Sequence, residues 1–562
     1  MDYNVLIGGA AGQGIDTLSH IFGKTLKRCG LYVFSMKDYM SRVRGGHNFI
    51  QVRFSDKPLY SHDEKFDAII ALDSDTINLH AKSLKAGGKL ILDRSLSDND
   101  AYMSFDFKEI AKECGNPRVA GTAAVGVLLK LFDIPLDISH TVLNDEFKGD
   151  VLNANLKAID TGYNMVKQVF NVPLEKKDDN IYISGNEAIA LGAIAAGVKF
   201  YCGYPMTPST SVMTYIAKKS RDAGIVVEQV EDEISAINMA LGASYAGVRA
   251  MTGSSGGGFA LMVEGISLAG IAEIPIVITE VQRPGPATGF PTRTEQGDLR
   301  FIIHSGHGEF PKMVISLRSP EDAFYQTARA FNIADKYQIP VILVSDQYLA
   351  DSGVTVKPFD FTKIRIERHI SGDEALENGV YKRYKLTESG ISPRIIPGKV
   401  EGATVLIDSD EHDELGHITE SQDMRVMMVN KRMKKLKLLK EEIQEPLFMG
   451  TENPDILITC WGSMYGPVKE AVDMLLKDGM SVGALSFGDI WPFPTKLIKK
   501  YGKFAKMIID VEQNATAQLD SLMRENALIK ADEHILKYDG RMMSSKYIYD
   551  RISEISKASS LY

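Results

Sequence analysis

Apolar positions in the first 174 residues come in short runs: "YNVLIGG", "LYVFSM", "FDAIIAL" and "GKLILD" alternate with stretches of helical spacing such as "GIDTLSHIFGKTLKRCG". Short continuous apolar runs bounded by turn residues predict strands, and their alternation with amphipathic helices predicts a parallel α/β sheet over 1–174. The polar, aperiodic "LEKKDDN" at 174–180 reads as a linker. Beyond it the pattern restarts. "EAIALGAIAAGV", "EDEISAINMALGASYAG" and "GFALMVEGISLAGIAEI" supply helices, while "PIVITEV", "KMVISL" and "PVILVSD" supply strands, so 181–355 reads as a second α/β domain. Residues 356–452 are rich in charge and poor in period, an irregular insert. Residues 453–562 return to an α/β pattern through "DILITCWG", "GPVKEAVDMLLKDG", "MSVGALSF" and "AKMIIDVEQ". The fold class expected is α/β, with three α/β domains in series.

A chain of 562 residues is too long for one core, which agrees with that division. The longest apolar runs, such as "AIALGAIAAGV", fall short of the ~18 to 20 residues that span a bilayer, so no membrane association is expected. "MDYNVLIGG" opens a strand without a basic, apolar leader, which implies a cytoplasmic location. A formal charge of -9 argues against a general nucleic-acid binder. One basic run stands out, "NKRMKKLKLLK" at 430–440, whose spacing sets Met433, Leu436, Leu438 and Leu439 against a lysine-rich side. That side reads as a solvated helix face, with docking of an acidic partner as the alternative. The four cysteines, Cys29, Cys114, Cys202 and Cys460, form no Cys-x-x-Cys pair, so no metal site or iron-sulfur cluster is expected in this chain. "DSDEHDELGH", with His412 and His417, has metal-like composition without ligand spacing and reads as a polar loop.

Several turns carry candidate chemistry. "LIGGAAGQG" joins a strand to a helix, where backbone N–H groups favour an anion; it does not spell G-x-G-x-x-G, but a phosphate-bearing ligand fits it. "SRVRGGHN" sets Arg44 beside Gly45 and Gly46, either a ligand or interface position or an ordinary turn. In "YCGYPMTPST", Pro205 and Pro208 hold Met206 and Thr207 in a rigid loop, which either presents Thr207 or ends in a helix cap at Ser209 or Thr210. "VVEQVEDEISAINMALG" opens with Glu228, Glu231, Asp232 and Glu233, and helix capping accounts for only some of these acids. A carboxylate shielded at the mouth of so apolar a helix is suited to exchanging a proton with a heterocyclic nitrogen. "TGSSGGGFALM" is a hydroxyl- and glycine-rich entry to a helix. In "EVQRPGPATGFPTRTEQGDL", Arg283 lies in an irregular loop, suited to a bidentate grip on a carboxylate or to bonding nearby carbonyls.

Together these stretches resemble the α subunit of 2-oxoacid:ferredoxin oxidoreductases, particularly the 2-oxoglutarate type, over most of the chain. The region 1–174 resembles the γ domain that some members fuse ahead of α, and 181–355 a pyrimidine-type thiamine diphosphate-binding domain. "DIWPFP" and "DVEQNATAQL" resemble the transketolase C-terminal-like domain, 453–562. The resemblance implies oxidative decarboxylation of 2-oxoglutarate to succinyl-CoA, or the reverse carboxylation, with thiamine diphosphate, coenzyme A and ferredoxin. Pyruvate or branched-chain 2-oxoacids are alternative substrates, and a non-catalytic coenzyme A-binding or regulatory subunit is an alternative of another class. The chain has no Gly-Asp-Gly motif and no cysteine cluster. A β subunit is therefore expected to hold the diphosphate, its magnesium and the iron-sulfur cluster, in a dimer of αβ pairs. The resemblance assigns Glu233 to the aminopyrimidine ring, because the nine-residue step from Glu233 to Gly242 matches related thiamine enzymes and selects it over Glu231. By the same likeness Tyr204, Pro205, Ser254 and Ser255 contact the cofactor, and Thr207, Arg283 and Thr292 line the substrate pocket. Arg44 is placed to meet the distal carboxylate of a diacid, which favours 2-oxoglutarate.

Overall fold

The computed structural model describes residues 1–41, 45–174 and 179–559. Its principal strands are, in chain order, β1 (Asp2–Ala11), β2 (Tyr32–Asp38), β3 (Gly45–Ser55), β4 (Phe66–Ala71), β5 (Leu84–Asp93), β6 (Met103–Phe105) and β7 (Ile181–Ser184). There follow β8 (Phe200–Gly203), β9 (Val226–Gln229), β10 (Ala250–Ser254), β11 (Ile276–Gln282), β12 (Met313–Ser316), β13 (Pro340–Asp346) and β14 (Gly353–Val356). The chain forms two compact units, one made of 1–184, 351–358 and 544–547, the other of 185–350, 359–543 and 548–562.

The first unit is built on an eight-stranded sheet, ordered β6-β5-β4-β1-β3-β2-β14-β7. Alternate side chains of β1 serve opposite faces: Val5 and Ile7 pack under the helix Ile15–Arg28 with Phe22 and Phe54, while Leu6 packs with Ile69 and Leu92 on the other side. The strands β1, β4, β5 and β6 run parallel, as the alternating pattern predicts. The pairs β1/β3, β2/β3, β2/β14 and β14/β7 are antiparallel. The cause lies partly in chain length, since 39–44 is too short a link between β2 and β3 for the crossover a parallel pair requires. The short strands β7 and β14 stand at the two ends of the sequence-read second domain, β14 running one residue past it, yet they close this sheet, with Val354 in register with both Phe34 and Ile183.

The second unit holds a seven-stranded sheet in which β12, β13, β11, β10, β8 and β9 are parallel neighbours and the strand Asp489–Trp491 adds antiparallel to β12. β11 and β13 are buried along their whole length, which is why they read as unbroken apolar runs. A five-stranded sheet follows, centred on Ile456–Trp461, and shares one apolar core with the first: Ile278, Val344 and Phe259 cluster with Trp461, Phe487 and Leu519. Among the described residues no helix is long and apolar enough to cross a membrane.

The lysine-rich helix Gln422–Leu439 corrects the sequence reading. Its basic side is not solvated: Lys431, Arg432 and Lys435 are buried. Lys431 Nζ donates to Glu273 Oε1 at 2.6 Å, Lys435 donates to the other oxygen, and Arg383 Nη2 donates to the Glu273 carbonyl at 2.7 Å. Arg432 grips Glu411 with both terminal nitrogens, at 3.0 and 2.8 Å. Of the basic residues of this run, Lys434, Lys437 and Lys440 are exposed. His412 is a packed ring, 3.8 Å from that of Tyr384 between centroids, with Nδ1 3.0 Å from the Asp410 carbonyl.

Candidate active site

Four acids enter the helix Glu233–Tyr245, and the fold gives them different tasks. Asp232 is the N-cap, accepting from the Ser235 N–H at 2.7 Å. Glu228 and Glu231 are exposed. Glu233 turns inward and retains only 2% exposure. The Ser254 hydroxyl, at the end of β10, lies 2.9 Å from Glu233 Oε1 and 3.6 Å from the Met206 sulfur, so it stands between the carboxylate and the proline loop. A glycine makes the room. An added Cβ at Gly258, in the first turn of the helix Gly256–Ile271, would sit 2.1 Å from both Glu233 Oε1 and Ser254 Oγ.

The proline loop is fixed from below. Asn186, buried in the helix Gly185–Ala195, donates to the Pro208 carbonyl and the Ser211 hydroxyl, each at 2.8 Å, and the Thr210 N–H closes on the Met206 carbonyl at 3.2 Å. Arg283, one residue past β11, donates through Nη1 to the Thr207 carbonyl at 2.7 Å. No carboxylate pairs with this half-buried guanidinium among the described residues, and burial lowers its pKa from the ordinary arginine value. Its other donors are left for an anion. Tyr204 is exposed and Pro205 half-buried on the rim of the same loop. Ser255 is fully buried as the N-cap of the Gly256 helix, yet its hydroxyl has no partner among the described residues. Thr292 is buried in the loop that follows Arg283, where its carbonyl accepts from Arg293 Nη1 at 3.2 Å. Arg44 lies outside the described residues; the glycines after it, Gly45 and Gly46, have φ of 74° and 73°.

Sequence reasoning missed a group of carboxyls behind the site. Glu280 on β11 is fully buried, and neither of its oxygens is bonded among the described residues. The Asp298 N–H donates to Gln282 Oε1 at 2.9 Å, and its carboxyl comes within 2.4 Å of where a Cβ of Gly256 would stand. Asp346, at the end of β13, accepts from Ser463 and the Leu349 N–H. Burial pushes Asp298 up to about 6; burial and then Asp298 push Glu295 up to about 7; burial, Asp298 and Asp346 hold Glu280 well above the carboxylate range. The loop carrying Glu295 and Asp298 is fastened by Gln296, which donates to the Trp461 carbonyl at 3.0 Å and, through its N–H, to the Gln513 carbonyl at 2.8 Å. The one sequence signal was an acid interrupting the apolar run "PIVITEV". No group of three or more metal-ligating side chains forms among the described residues.

Three family models match the chain: pyruvate ferredoxin/flavodoxin oxidoreductase over residues 4–165, the thiamine diphosphate-binding model of pyruvate flavodoxin/ferredoxin oxidoreductases over 191–431, and core domain II of pyruvate:ferredoxin oxidoreductase over 454–548. A Sulfolobus protein named 2-oxoacid:ferredoxin oxidoreductase subunit alpha is 34% identical, over 95% of this chain and 94% of its own. The Methanocaldococcus jannaschii 2-oxoglutarate synthase subunit KorA is 35% identical over 59% of this chain and 88% of its own. The solved 2-oxoglutarate:ferredoxin oxidoreductase from Magnetococcus marinus, with 2-oxoglutarate, coenzyme A and succinyl-CoA bound, superposes with a TM-score of 0.91 at 33% identity, covering 98% of this chain and 99% of that one.

Proposed function

Since the chain belongs to the α subunits of 2-oxoacid:ferredoxin oxidoreductases, we propose that it catalyses the coenzyme A-dependent oxidative decarboxylation of 2-oxoglutarate, or its reversal, together with a β subunit. The observation that carries the reading is the meeting of Glu233, Ser254 and the Met206–Thr207 loop, with Arg283 on the Thr207 carbonyl and without a carboxylate partner among the described residues. The side-chain bond of Glu233 runs from Ser254 to Oε1, and the buried Ser255 hydroxyl has no partner among the described residues. A flat, nitrogen-bearing ring supplies partners for both, which fits the pyrimidine end of thiamine diphosphate. When bound, that cofactor supplies a nucleophilic carbon that attacks the 2-oxoacid carbonyl.

This chain's part is to prepare the ring and the substrate. Glu233 would hold or release a proton at the ring nitrogen from a fixed, water-poor position, the geometry that makes a carboxyl an effective acid–base group. Ser254 keeps that carboxyl oriented. Arg283 would clamp the substrate carboxylate, and Thr207 would bond it from a loop already ordered, so little entropy is lost on binding. Thr292, Tyr204 and Pro205 would complete the walls, and Arg44 would take the distal carboxylate. The exposed apolar residues Ile234, Met239 and Leu261, on the helices that carry Glu233 and Gly258, support a partner surface there. The β subunit would hold the diphosphate, its magnesium and the iron-sulfur cluster, in a dimer of αβ pairs that passes electrons to ferredoxin.

The test is reduction of ferredoxin by the co-expressed αβ complex with 2-oxoglutarate, pyruvate and a branched-chain 2-oxoacid in turn. The highest kcat/KM is expected for 2-oxoglutarate. Arg283→Lys should raise KM by more than about tenfold, because a point ammonium cannot reproduce a forked grip. An unchanged KM would move Arg283 to a structural role.

A further inference from the structure

Glu280 is hard to explain as a structural residue. A buried carboxyl with neither oxygen bonded is destabilising, and among the described residues neither Glu280 oxygen has a hydrogen-bond partner. Its position is informative. Glu280 and Ser254 are register partners on the parallel strands β11 and β10, so their side chains leave the same face of the sheet side by side. Ser254 in turn donates to Glu233. From the other elements packed around Glu280 the acting charges are all negative: Asp298 from the loop after Arg283, and Asp346 from the end of β13. Asp346 is itself occupied by Ser463 and the Leu349 N–H. A carboxyl so placed keeps its proton, and the hydroxyl beside it leads to the carboxylate of the candidate active site.

We propose that Glu280 is a proton store for this site, passing a proton to Glu233 through the Ser254 hydroxyl and taking it back. In the forward step the Glu280 acid gives its proton to Ser254 Oγ while Ser254 gives its own to Glu233 Oε1; Glu280 ends as carboxylate, Glu233 as acid, and the serine is unchanged. The step requires the Glu280 side chain to turn toward its strand neighbour, since its oxygens make no bond to Ser254 at rest. Glu280 is thus a positioning residue that acts through Ser254, and the inference rests on the assignment of Glu233 to the cofactor ring.

Two measurements test it. Infrared spectra of the full chain at about pH 7 should show the carbonyl band of a protonated carboxyl that Glu280→Gln removes and Glu233→Gln leaves. Absence of that band overturns the proposal, whatever the enzyme's activity. In the αβ complex with thiamine diphosphate, Glu280→Gln should slow exchange of the cofactor's C2 proton by about tenfold with substrate KM unchanged, and Glu280→Asp should recover part of the loss. Exchange at the parent rate overturns the relay. Glu280→Leu, which removes the orphaned group, supplies the band-free reference if the glutamine variant does not fold. Should the complex turn over no 2-oxoacid while the band is present, the functional reading fails and the protonated state of Glu280 stands.

Discussion

Glu233 and Gly258 constrain each other. Replacing Glu233 with glutamine keeps the shape but removes the exchangeable acid, so turnover should fall by ~10² to 10⁴ with little change in KM, while the exposed Glu231→Gln should behave as the parent. C2-proton exchange in the αβ complex, followed by NMR after quenching, separates the two. Gly258→Ala is expected to fold, since the helix gains a better former, and yet to lose most activity, because its methyl would occupy the space of the Glu233 and Ser254 oxygens. The check is the same exchange rate beside a circular dichroism melt. At this scale the local patterns picked out two stretches that the fold brings together: the acids before an apolar helix, and the prolines around Thr207, meet at Ser254. Glu280 was not legible, because one acid in "PIVITEV" resembles a strand end facing water. Its partners in charge come from Asp298 and Asp346, which no local window contains.

At the scale of the element, the helix Gln422–Leu439 shows how a charge run can mislead. Its lysines answer a carboxylate, Glu273, that lies more than a hundred residues earlier in a left-handed turn with φ of 51°. Burial pushes Lys435 down to about 7 despite Glu273, and the same burial lowers Lys431. Burial alone would raise Glu273, but Lys431, Lys435 and Arg383 outweigh it and hold its carboxyl well below the usual range. The signs follow. Lys435 binds a proton less readily folded than unfolded, so its contribution to stability is least favourable below about pH 7 and improves as pH climbs toward ~10. Glu273 contributes stability above the unfolded glutamate value that is lost as pH falls below it. Lys435→Met leaves the buried Glu273 carboxylate with one ammonium fewer and should therefore lower the urea midpoint, least at about pH 6 and more by about pH 10. A loss independent of pH would show that packing, rather than the proton, separates the variants.

For the whole molecule, the α/β class and the serial order of three such patterns were readable because buried parallel strands and their helices leave strong periodic signals. The isolated chain should be colourless and unable to reduce ferredoxin, since its cysteines are scattered and the proposed reading assigns the diphosphate end of the site to a β subunit. An absorption spectrum of the pure chain, before and after adding the β subunit, checks this. Which sheet a short strand joins was not readable, for a four-residue run carries no mark of its neighbours. β7 and β14 are the case in point. The Val33 N–H bonds the Thr355 hydroxyl at 3.0 Å, and β14 covers the edge of β2 that would otherwise stand open. A protease that cuts within 174–180 would consequently release nothing: the piece before the cut would stay stitched to the piece after it by a ladder of backbone bonds. Expressed without residues 353–356, that first piece would offer β2 as a bare edge to its own copies.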